Sequence, residues 1–385
     1  MKKYYYKGKI EYEIKLKVIG GIYIMSRVYN FSAGPAVLPV EVLKEVQNEL
    51  LNYKDAGMSI LEMSHRSKEY EKINSEAEQD IKDLLGIDDD YCVLFLAGGG
   101  SLQFSMVPMN FLGKGQIGAY INTSDFSNKA IVEAEKIGKV ETIFSSREDK
   151  YNRVPKMEEI VLPKNCAYLH ITANNTIEGT EYSVYPDTGD VPLIADMSSD
   201  ILSKPIPAEK FSLIYAGAQK NIGPGGVVVV IARKEFIKGR EKNLPTMLNY
   251  EVQMNKHSLY NTPPVFAVYI VGLVAKWLKK QGGLKVMNEK NKMKAKILYD
   301  ILDEYPDFYL AYAEKDSRST MNVTFTLPTE ELNKKFVEEA TKIGLCNLKG
   351  HRSVGGIRAS IYNAMPKEGC EKLGEFMKEF YKNNK

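Results

Sequence analysis

The sequence is poor in cysteine, histidine and tryptophan, and it contains no long apolar run. Its four cysteines, Cys92, Cys166, Cys346 and Cys370, have neither the spacing of a zinc site nor that of a disulfide framework, so we expect no metal and a reducing, cytoplasmic location. No segment approaches the ~18 consecutive apolar residues of a membrane-spanning helix, which argues against a membrane protein. The 385 residues, 44% hydrophobic and 26% charged, are typical of a soluble globular protein.

The chain also has no net positive charge once residues 1–24 are set aside. The formal net charge is +3, but residues 1–24 hold six lysines and two glutamates, so the rest of the chain is near neutral. A near-neutral body predicts no nucleic-acid partner. The leading segment lacks the apolar core and the cleavage site of a secretory signal. We therefore expect residues 1–24 to be a disordered or non-native extension that can be deleted without loss of activity.

Apolar and amphipathic segments alternate from residue 40 to residue 285, which predicts an α/β fold with a large, mostly parallel sheet covered by helices. The expected strands are 91–96, 117–121, 141–144, 167–171, 193–195, 211–215 and 227–231. The expected helices of this large domain are 40–54, 67–85 and 262–281. Residues 25–39 and 286–385 are assigned to a smaller α+β domain, with a connecting helix at 284–304, helices at 330–343 and 367–381 and strands at 307–313 and 322–327.

Lys220 follows the apolar run 211–215, within a segment that contains four glycines and one proline. Such residues let the backbone approach a bulky ligand. Asp196 ends a second apolar run, 191–195. A lysine and a carboxylate at the ends of two strands suit pyridoxal 5'-phosphate (PLP), which uses a lysine as its Schiff base and an acid at its pyridine nitrogen. A solvated lysine and a helix-capping aspartate are the alternatives.

The segment 98–101, Gly-Gly-Gly-Ser, lies between a predicted strand and a predicted helix. Free amides at a helix N-terminus bind phosphate well. The spacing is neither that of a Walker loop nor that of the dinucleotide fingerprint, which argues against a nicotinamide dehydrogenase. Because glycine turns after strands are common, the motif indicates a cofactor phosphate site only in combination with Lys220 and Asp196.

Arginine is rare, with nine residues against 43 lysines, yet Arg66 and Arg352 directly follow His65 and His351. Arginine binds carboxylate or phosphate as a two-pronged fork, and histidine adds a further donor, so these pairs predict an anion site. Helix caps and surface ion pairs are the alternatives for these arginines. A similar choice holds for Asn261 and Thr262, which either cap a helix or bind a phosphate of this subunit or of a neighbour.

From about residue 28 to its C-terminus the chain resembles phosphoserine aminotransferases, which are fold-type-I PLP enzymes. The resemblance is carried, in order, by segments 30–36, 63–66, 216–224, 260–264, 350–352 and 356–364. It implies reversible transfer of an amino group from L-glutamate to 3-phosphohydroxypyruvate, giving 2-oxoglutarate and O-phospho-L-serine in L-serine biosynthesis. It also implies a homodimer. Whether phosphohydroxythreonine of vitamin B6 biosynthesis is a substrate stays open.

The resemblance implies a role for each candidate residue. The catalytic pair is Lys220, as the Schiff-base lysine, and Asp196, as the partner of the pyridine nitrogen. The other cofactor contacts are Thr176 at the phenolic oxygen, Phe126 at the ring face and, around the phosphate, Gly100, Ser101, Ser198, Gln219 and, from across a dimer interface, Asn261 and Thr262. The substrate contacts are Arg358 at the α-carboxylate and, around the substrate's phosphate, His65, Arg66, His351 and Arg352.

Two residues depart from the family pattern. Phe126 stands where members usually have a tryptophan, and its smaller ring stacks with less area, so we expect weaker retention of PLP without loss of activity. Ser101 stands where some members have an arginine, which leaves more of the phosphate charge to Arg66 and Arg352.

The nearest alternatives are other PLP enzymes of the same fold. An aminotransferase of small substrates has less use for two His–Arg pairs. A cysteine desulfurase needs a mobile catalytic cysteine, and no cysteine lies in an obvious exposed loop of the sequence. A non-catalytic PLP-binding protein is disfavoured because Lys220 and Asp196 are both present.

Overall fold

The computed structural model describes residues 27–240 and 243–385 in full and the backbone of two short segments before them. These segments form an antiparallel pair, β1 (Leu16–Ile19) and β2 (Ile22–Met25). The expectation about residues 1–24 falls for the most part on residues 1–15 and 20–21, which lie outside the described residues. It stays a prediction.

The described chain contains strands and α-helices in alternation. The further strands are β3 (Tyr29–Asn30), β4 (Tyr91–Leu96), β5 (Ile117–Asn122), β6 (Val140–Ser145), β7 (Cys166–Thr172), β8 (Asn174–Asn175), β9 (Thr180–Glu181), β10 (Leu193–Asp196), β11 (Phe211–Gly217), β12 (Val228–Arg233), β13 (Leu310–Ala311), β14 (Asn322–Thr326), β15 (Leu345–Cys346) and β16 (Ile357–Ser360). The helices are α1 (Val40–Glu49), α2 (Lys68–Leu85), α3 (Gly99–Phe111), α4 (Asp125–Glu135), α5 (Lys234–Ile237), α6 (Tyr250–Asn255), α7 (Val265–Lys280), α8 (Gly283–Glu304), α9 (Glu330–Lys342) and α10 (Lys367–Asn384).

The largest sheet has seven strands in the order β4-β12-β11-β10-β7-β5-β6. All neighbours pair in parallel except β12, which is antiparallel to both β11 and β4. Six strands therefore run in one direction. The predicted α/β fold with a mostly parallel sheet is confirmed, and each of the seven strands expected from apolar runs is present, with ends that differ by at most two residues.

Alternate residues of this sheet face two helical layers, because successive side chains of a strand point to opposite faces. In β4, Val93 packs in the same core as Ala77 of α2 and Val271 of α7. Its neighbour Leu94 packs on the other face with Phe104 of α3. Both faces are thus covered, as is usual for parallel sheets, whose strands read as continuous apolar runs.

A third core lies outside the large sheet. It joins Phe31 to Leu298 of α8, Phe325 of β14, Phe336 of α9 and Met377 of α10. β3 pairs in parallel with β15, so the residues around Phe31 pack with the C-terminal part of the chain. The assignment of residues 25–39 and 286–385 to one small domain stays a prediction, and this shared core supports it.

Three elements differ from the expectation for local reasons. The helix expected over 40–54 ends at Glu49, and a short 3-10 turn follows in which Lys54 and Asp55 have positive φ, a conformation that an α-helix excludes. The helix expected over 262–281 begins only at Val265, because Pro264 disfavours a helical conformation for the residue before it. The strand expected over 307–313 is reduced to Leu310–Ala311. In the part of the chain that the structure describes, no helix has the length and hydrophobicity needed to span a bilayer.

The close approach of α2 and α7 depends on Gly272, where an added Cβ would lie 3.2 Å from Cβ of the buried Ala77. We expect Gly272→Val to lower the free energy of unfolding by about 1–3 kcal/mol, because overpacking forces the two helices apart. Urea denaturation measures this. Lys280→Val, on the exposed surface of the same helix, is the matched control and should change stability much less. Equal losses in both variants would contradict the packing argument.

Candidate active site

Candidate residues that end or follow five of the strands lie at one edge of the large sheet, because parallel strands end there together. β4 leads into the N-terminus of α3, β5 into that of α4, and β10 and β11 end at Asp196 and just before Lys220. β7 leads into β8, after which the chain turns at Thr176. Ligand sites of open α/β sheets form at this carboxyl edge.

Lys220 is the centre of this edge. Its Nζ atom donates a hydrogen bond of 2.7 Å to Oγ1 of Thr176 and lies 4.8 Å from the ring centroid of Phe126. Burial lowers the pKa of Lys220, the charge of Asp196 partly opposes this, and the charge of Arg358 lowers the pKa further. A half-buried amine of lowered pKa is neutral more often than a surface lysine, and only its neutral form is a nucleophile or a base.

Asp196 is buried, with 6% of its surface exposed. Its Oδ1 atom accepts hydrogen bonds from the backbone N–H of Ser198 at 2.9 Å and from the Ser198 hydroxyl at 2.6 Å. Burial raises the pKa of Asp196, while the charge of Lys220 and the bonds from Ser198 lower it. Within the described residues Oδ2 has no hydrogen-bond partner, so one oxygen of a held carboxylate is left for a ligand.

The N-terminus of α3 forms a cradle beside this carboxylate. Gly98 and Gly99 have positive φ, and no side chain within the described ranges caps the helix. A Cβ on Gly100 would lie 3.4 Å from the Ser198 hydroxyl, which also accepts a hydrogen bond from the backbone N–H of Gly217 at 3.0 Å. The first amides of α3, with Ser101 among them, are therefore free to bind an anion.

The segment before α1 closes over the lysine, a contact that sequence reasoning did not foresee. A Cβ on Gly34 would lie 3.4 Å from Cγ of Lys220. The backbone N–H of Ala36 donates to the backbone oxygen of Gln219 at 2.9 Å, while the Gln219 residue itself is exposed. This contact holds the lysine segment from a second side.

Arg358 lies on β16, opposite Thr324 of β14. It is half-buried, and its guanidinium has no hydrogen bond or ion pair to any residue that the structure describes. Burial lowers the pKa of Arg358, and the nearby Tyr362 and Glu178 partly restore it. An unpaired, partly desolvated guanidinium is suited to bind a carboxylate.

Glu178, two residues after Thr176, is the acid that sequence reasoning missed. It is 1% exposed, and its Oε1 atom accepts a hydrogen bond from the backbone N–H of Asp125 at 3.1 Å, at the start of α4. Its Oε2 atom is buried without a partner among the described residues. Burial raises the pKa of Glu178 to about 7. Its position in a glycine-containing turn gave no sign of this burial.

The structure places the two His–Arg pairs differently. His351 lies near Arg358, whose charge adds to burial in lowering the pKa of His351, and its Nδ1 atom bonds the Ser353 hydroxyl at 2.7 Å. Arg352 is exposed beside it. His65 and Arg66 lie in the loop before α2, where no described hydrogen bond joins their side chains to the lysine site.

Asn261 and Thr262 are exposed at the end of the loop that precedes α7. They line a cavity of ≈ 100 Å³ whose walls include Ala97 and Leu102, the two residues that flank the glycine turn of α3. Neither forms a hydrogen bond to Lys220 or Asp196 within the described chain. Four candidates therefore stand apart from the central cluster: these two residues and the pair His65 and Arg66.

Comparison with known proteins identifies the family. Residues 28–373 match the family model described as aminotransferase class-V. The chain belongs to the class-V aminotransferase family. The phosphoserine aminotransferase of Geobacillus kaustophilus is 54% identical over 356 residues, which are 92% of this chain and 99% of that protein. That of Desulfatibacillum aliphaticivorans is 55% identical over 361 residues, 93% of this chain and 99% of that protein.

Solved structures agree with this assignment. A phosphoserine aminotransferase from Bacillus circulans subsp. alkalophilus has a TM-score of 0.92 and 50% identity, covering 93% of this chain and 99% of that one. A PLP-bound phosphoserine aminotransferase from Trichomonas vaginalis has a TM-score of 0.87 and 38% identity, covering 91% and 100%. The resemblance seen in the sequence, the fold and the class of enzyme, an aminotransferase, are confirmed.

The charges around Lys220 predict how its pKa responds to substitution. In the apoprotein, we expect the lysine to titrate below the same lysine in the denatured chain, because burial disfavours its charged form. Asp196→Asn should lower the midpoint further, and Arg358→Gln should raise it. Competitive acetylation across a pH series, read by mass spectrometry, gives the midpoint of each lysine. An unchanged midpoint in Asp196→Asn would contradict the proposed interaction.

Proposed function

We propose that this aminotransferase moves the amino group of L-glutamate to 3-phosphohydroxypyruvate, giving 2-oxoglutarate and O-phospho-L-serine, with PLP as its cofactor. The observation that carries the proposal is the Lys220 amine, of lowered pKa and bonded to Thr176, next to Asp196 with one free carboxylate oxygen. The names of the relatives at 50–55% identity support the substrate.

The residues at the sheet edge fit this cofactor. When bound, PLP supplies an aldehyde that reacts with amines and a ring that withdraws electrons from the substrate's α-carbon. Oδ2 of Asp196 would hold the ring nitrogen, Thr176 the phenolic oxygen and Phe126 one ring face. The phosphate would lie in the cradle formed by the start of α3, where it would contact Gly100, Ser101, Ser198 and Gln219.

Lys220 has a second task beyond holding the cofactor. Its neutral amine would take the proton from the substrate's α-carbon and deliver it to the cofactor's aldehyde carbon, on the far side of the amino nitrogen. The desolvation that lowers its pKa makes this neutral form more available than in a solvated lysine. The hydrogen bond to Thr176 Oγ1 holds the amine in a defined position.

Arg358 binds the α-carboxylate in this proposal, since its guanidinium is free among the described residues and half-buried near Lys220. His351 and Arg352 lie on the same side and bind the distal anion, which is a γ-carboxylate in glutamate and a phosphate in phosphoserine. One cationic cluster serves both anions, because the two substrates occupy the same site one after the other.

A homodimer is part of the proposal, with His65, Arg66, Asn261 and Thr262 serving the partner's site. The segment just before His65 exposes apolar side chains, Leu51 at 87%, Met58 at 44% and Leu61 at 61%. Clustered exposed apolar residues mark a protein interface. A cytoplasmic setting also remains a proposal, supported by four cysteines that are all free thiols.

Cysteine desulfuration is disfavoured as an alternative. Cys92 and Cys370 are buried, and burial also raises the pKa of the half-buried Cys166 and Cys346. A desulfurase needs a reactive thiolate, whereas these thiols stay protonated at neutral pH.

The direct test is the absorbance spectrum of the PLP-loaded protein, titrated separately with O-phosphoserine, L-glutamate and L-serine. We expect the first two to convert the cofactor's absorbance to that of its amino form and serine to leave it largely unchanged. Lys220→Ala should show no conversion with any of the three. An equal response to plain serine would keep the aminotransferase and overturn the phosphorylated substrate.

Arg352→Ala should separate phosphate recognition from general activity. We expect kcat/KM for O-phosphoserine to fall by about 10²-fold, since a charge-assisted bond is worth roughly 1.5–3 kcal/mol, and activity with alanine to change little. Steady-state kinetics with both amino acids measures the difference. Arg27→Ala, an exposed arginine outside the site, is the control. Equal losses for both substrates would argue against phosphate binding by Arg352.

A further inference from the structure

Glu178 lies inside the site without a role in the reaction described above. It belongs to the turn between β8 and β9, with Thr176 before it and Gly179 after it. One carboxylate oxygen receives the amide of Asp125 and the other has no partner among the described residues. A buried carboxylate with only one hydrogen bond is poorly compensated, so its charge is easily removed by a proton.

The turn is joined to the strand pair that carries the substrate's arginine. The Thr324 hydroxyl donates to the backbone oxygen of Ile177 at 3.2 Å, and Thr324 faces Arg358 across β14 and β16. Glu178 and Arg358 form no hydrogen bond with each other in the described chain, yet the charge of each changes the pKa of the other. The arginine lowers the pKa of the acid, and the acid raises the pKa of the arginine.

The other charged and titratable groups that face Glu178 are few. Asp125, on α4, raises the pKa of Glu178 slightly beyond the effect of burial, and Lys220 is the second cation near it. Tyr151 and Tyr312 are phenols whose pKa values are raised mainly by burial and in part by Glu178, so both remain neutral through the physiological range. Glu178 is therefore the group here that changes charge near neutral pH.

We propose that Glu178 is a positioning residue for the substrate's carboxylate, which takes up a proton from solvent when that carboxylate binds Arg358 and releases it when the product leaves. The inference rests on the proposed function, because it assigns the α-carboxylate to Arg358. Two carboxylates near one guanidinium repel each other, so arrival of the second favours protonation of the first. The uncharged acid then leaves the full charge of Arg358 to the substrate.

The sign of the pH dependence follows from linkage. Below about pH 7 Glu178 is already protonated and carboxylate binding takes up no proton. Above that pH, binding must first protonate Glu178, so affinity falls by up to about tenfold per pH unit until the pKa of the complex is reached. Substitution by glutamine removes this loss while keeping an oxygen that can accept the Asp125 amide.

The test uses glutarate, a dicarboxylate without an amino group, and the PLP-loaded enzyme. Calorimetric titrations at pH 7.5 in buffers of different ionisation enthalpy give the protons taken up on binding. We expect Glu178→Gln to take up about 0.5–0.8 proton fewer per site than the wild type. At pH 8 it should bind glutarate about five- to tenfold more tightly than the wild type, with near-equal affinities at pH 6.

Two further variants make the outcome decisive. Glu178→Asp, which keeps an ionisable group, should retain proton uptake even if affinity changes, and Glu158→Gln, on the exposed surface, should behave as the wild type. Proton uptake equal to that of the wild type in Glu178→Gln would overturn the inference while leaving the proposed transamination intact. Glutarate binding that is unaffected by Arg358→Gln would instead overturn the assignment of the carboxylate to Arg358, and the role of Glu178 with it.

Discussion

Parallel pairing of β10 with both of its neighbours is the constraint on which the site depends. Asp196, the last residue of β10, lies in register with Thr172 of β7 and Tyr215 of β11. Five residues after Tyr215 comes Lys220, and four residues after Thr172 comes Thr176, so one short strand brings the acid, the amine and the amine's hydroxyl partner to a common edge. Their separation in sequence is irrelevant once the three strands end together.

Burial then gives these groups their chemistry. The same desolvation raises the pKa of Asp196 and lowers that of Lys220, and each opposes the shift of the other through its charge. The Ser198 bonds hold the carboxylate in one orientation, and the guanidinium of Arg358, unpaired among the described residues, adds a further positive charge nearby. The site therefore works as one electrostatic set, in which a change at any member is felt by the rest.

Much of this arrangement could be predicted from the sequence, and the reasons are local. Asp196 and Lys220 each follow an apolar run that became a strand of the sheet, and the glycines of 98–101 marked the start of α3. Even the boundary errors have local causes, such as Pro264 delaying the start of α7. Strand positions and turn chemistry are properties of short segments, and a single sequence reports them well.

Glu178 could not be found in the same way, because its character comes from groups distant in the chain. The sequence suggests a solvated turn here, whereas in the structure the start of α4 donates a hydrogen bond to the Glu178 carboxylate and β14 packs against the turn. Local sequence patterns also do not show that the guanidinium of Arg358 lacks a partner among the described residues. The roles proposed for His65, Arg66, Asn261 and Thr262 depend on a second chain in the proposed homodimer, and a single protomer does not show them.

Gly179 gives the turn that carries Thr176 and Glu178 a mechanical attachment. Its φ is positive, an added Cβ would lie 2.8 Å from the backbone oxygen of Asn322 in β14, and its own carbonyl accepts the amide of Ser319. The turn is thus tethered to the three-stranded sheet that also bears Arg358. A displacement of that sheet relative to the seven-stranded sheet would therefore also displace the Thr176 hydroxyl, which accepts the hydrogen bond of the Lys220 amine. The contacts of this one turn therefore link the positions of the lysine's hydroxyl partner and of the sheet that carries Arg358.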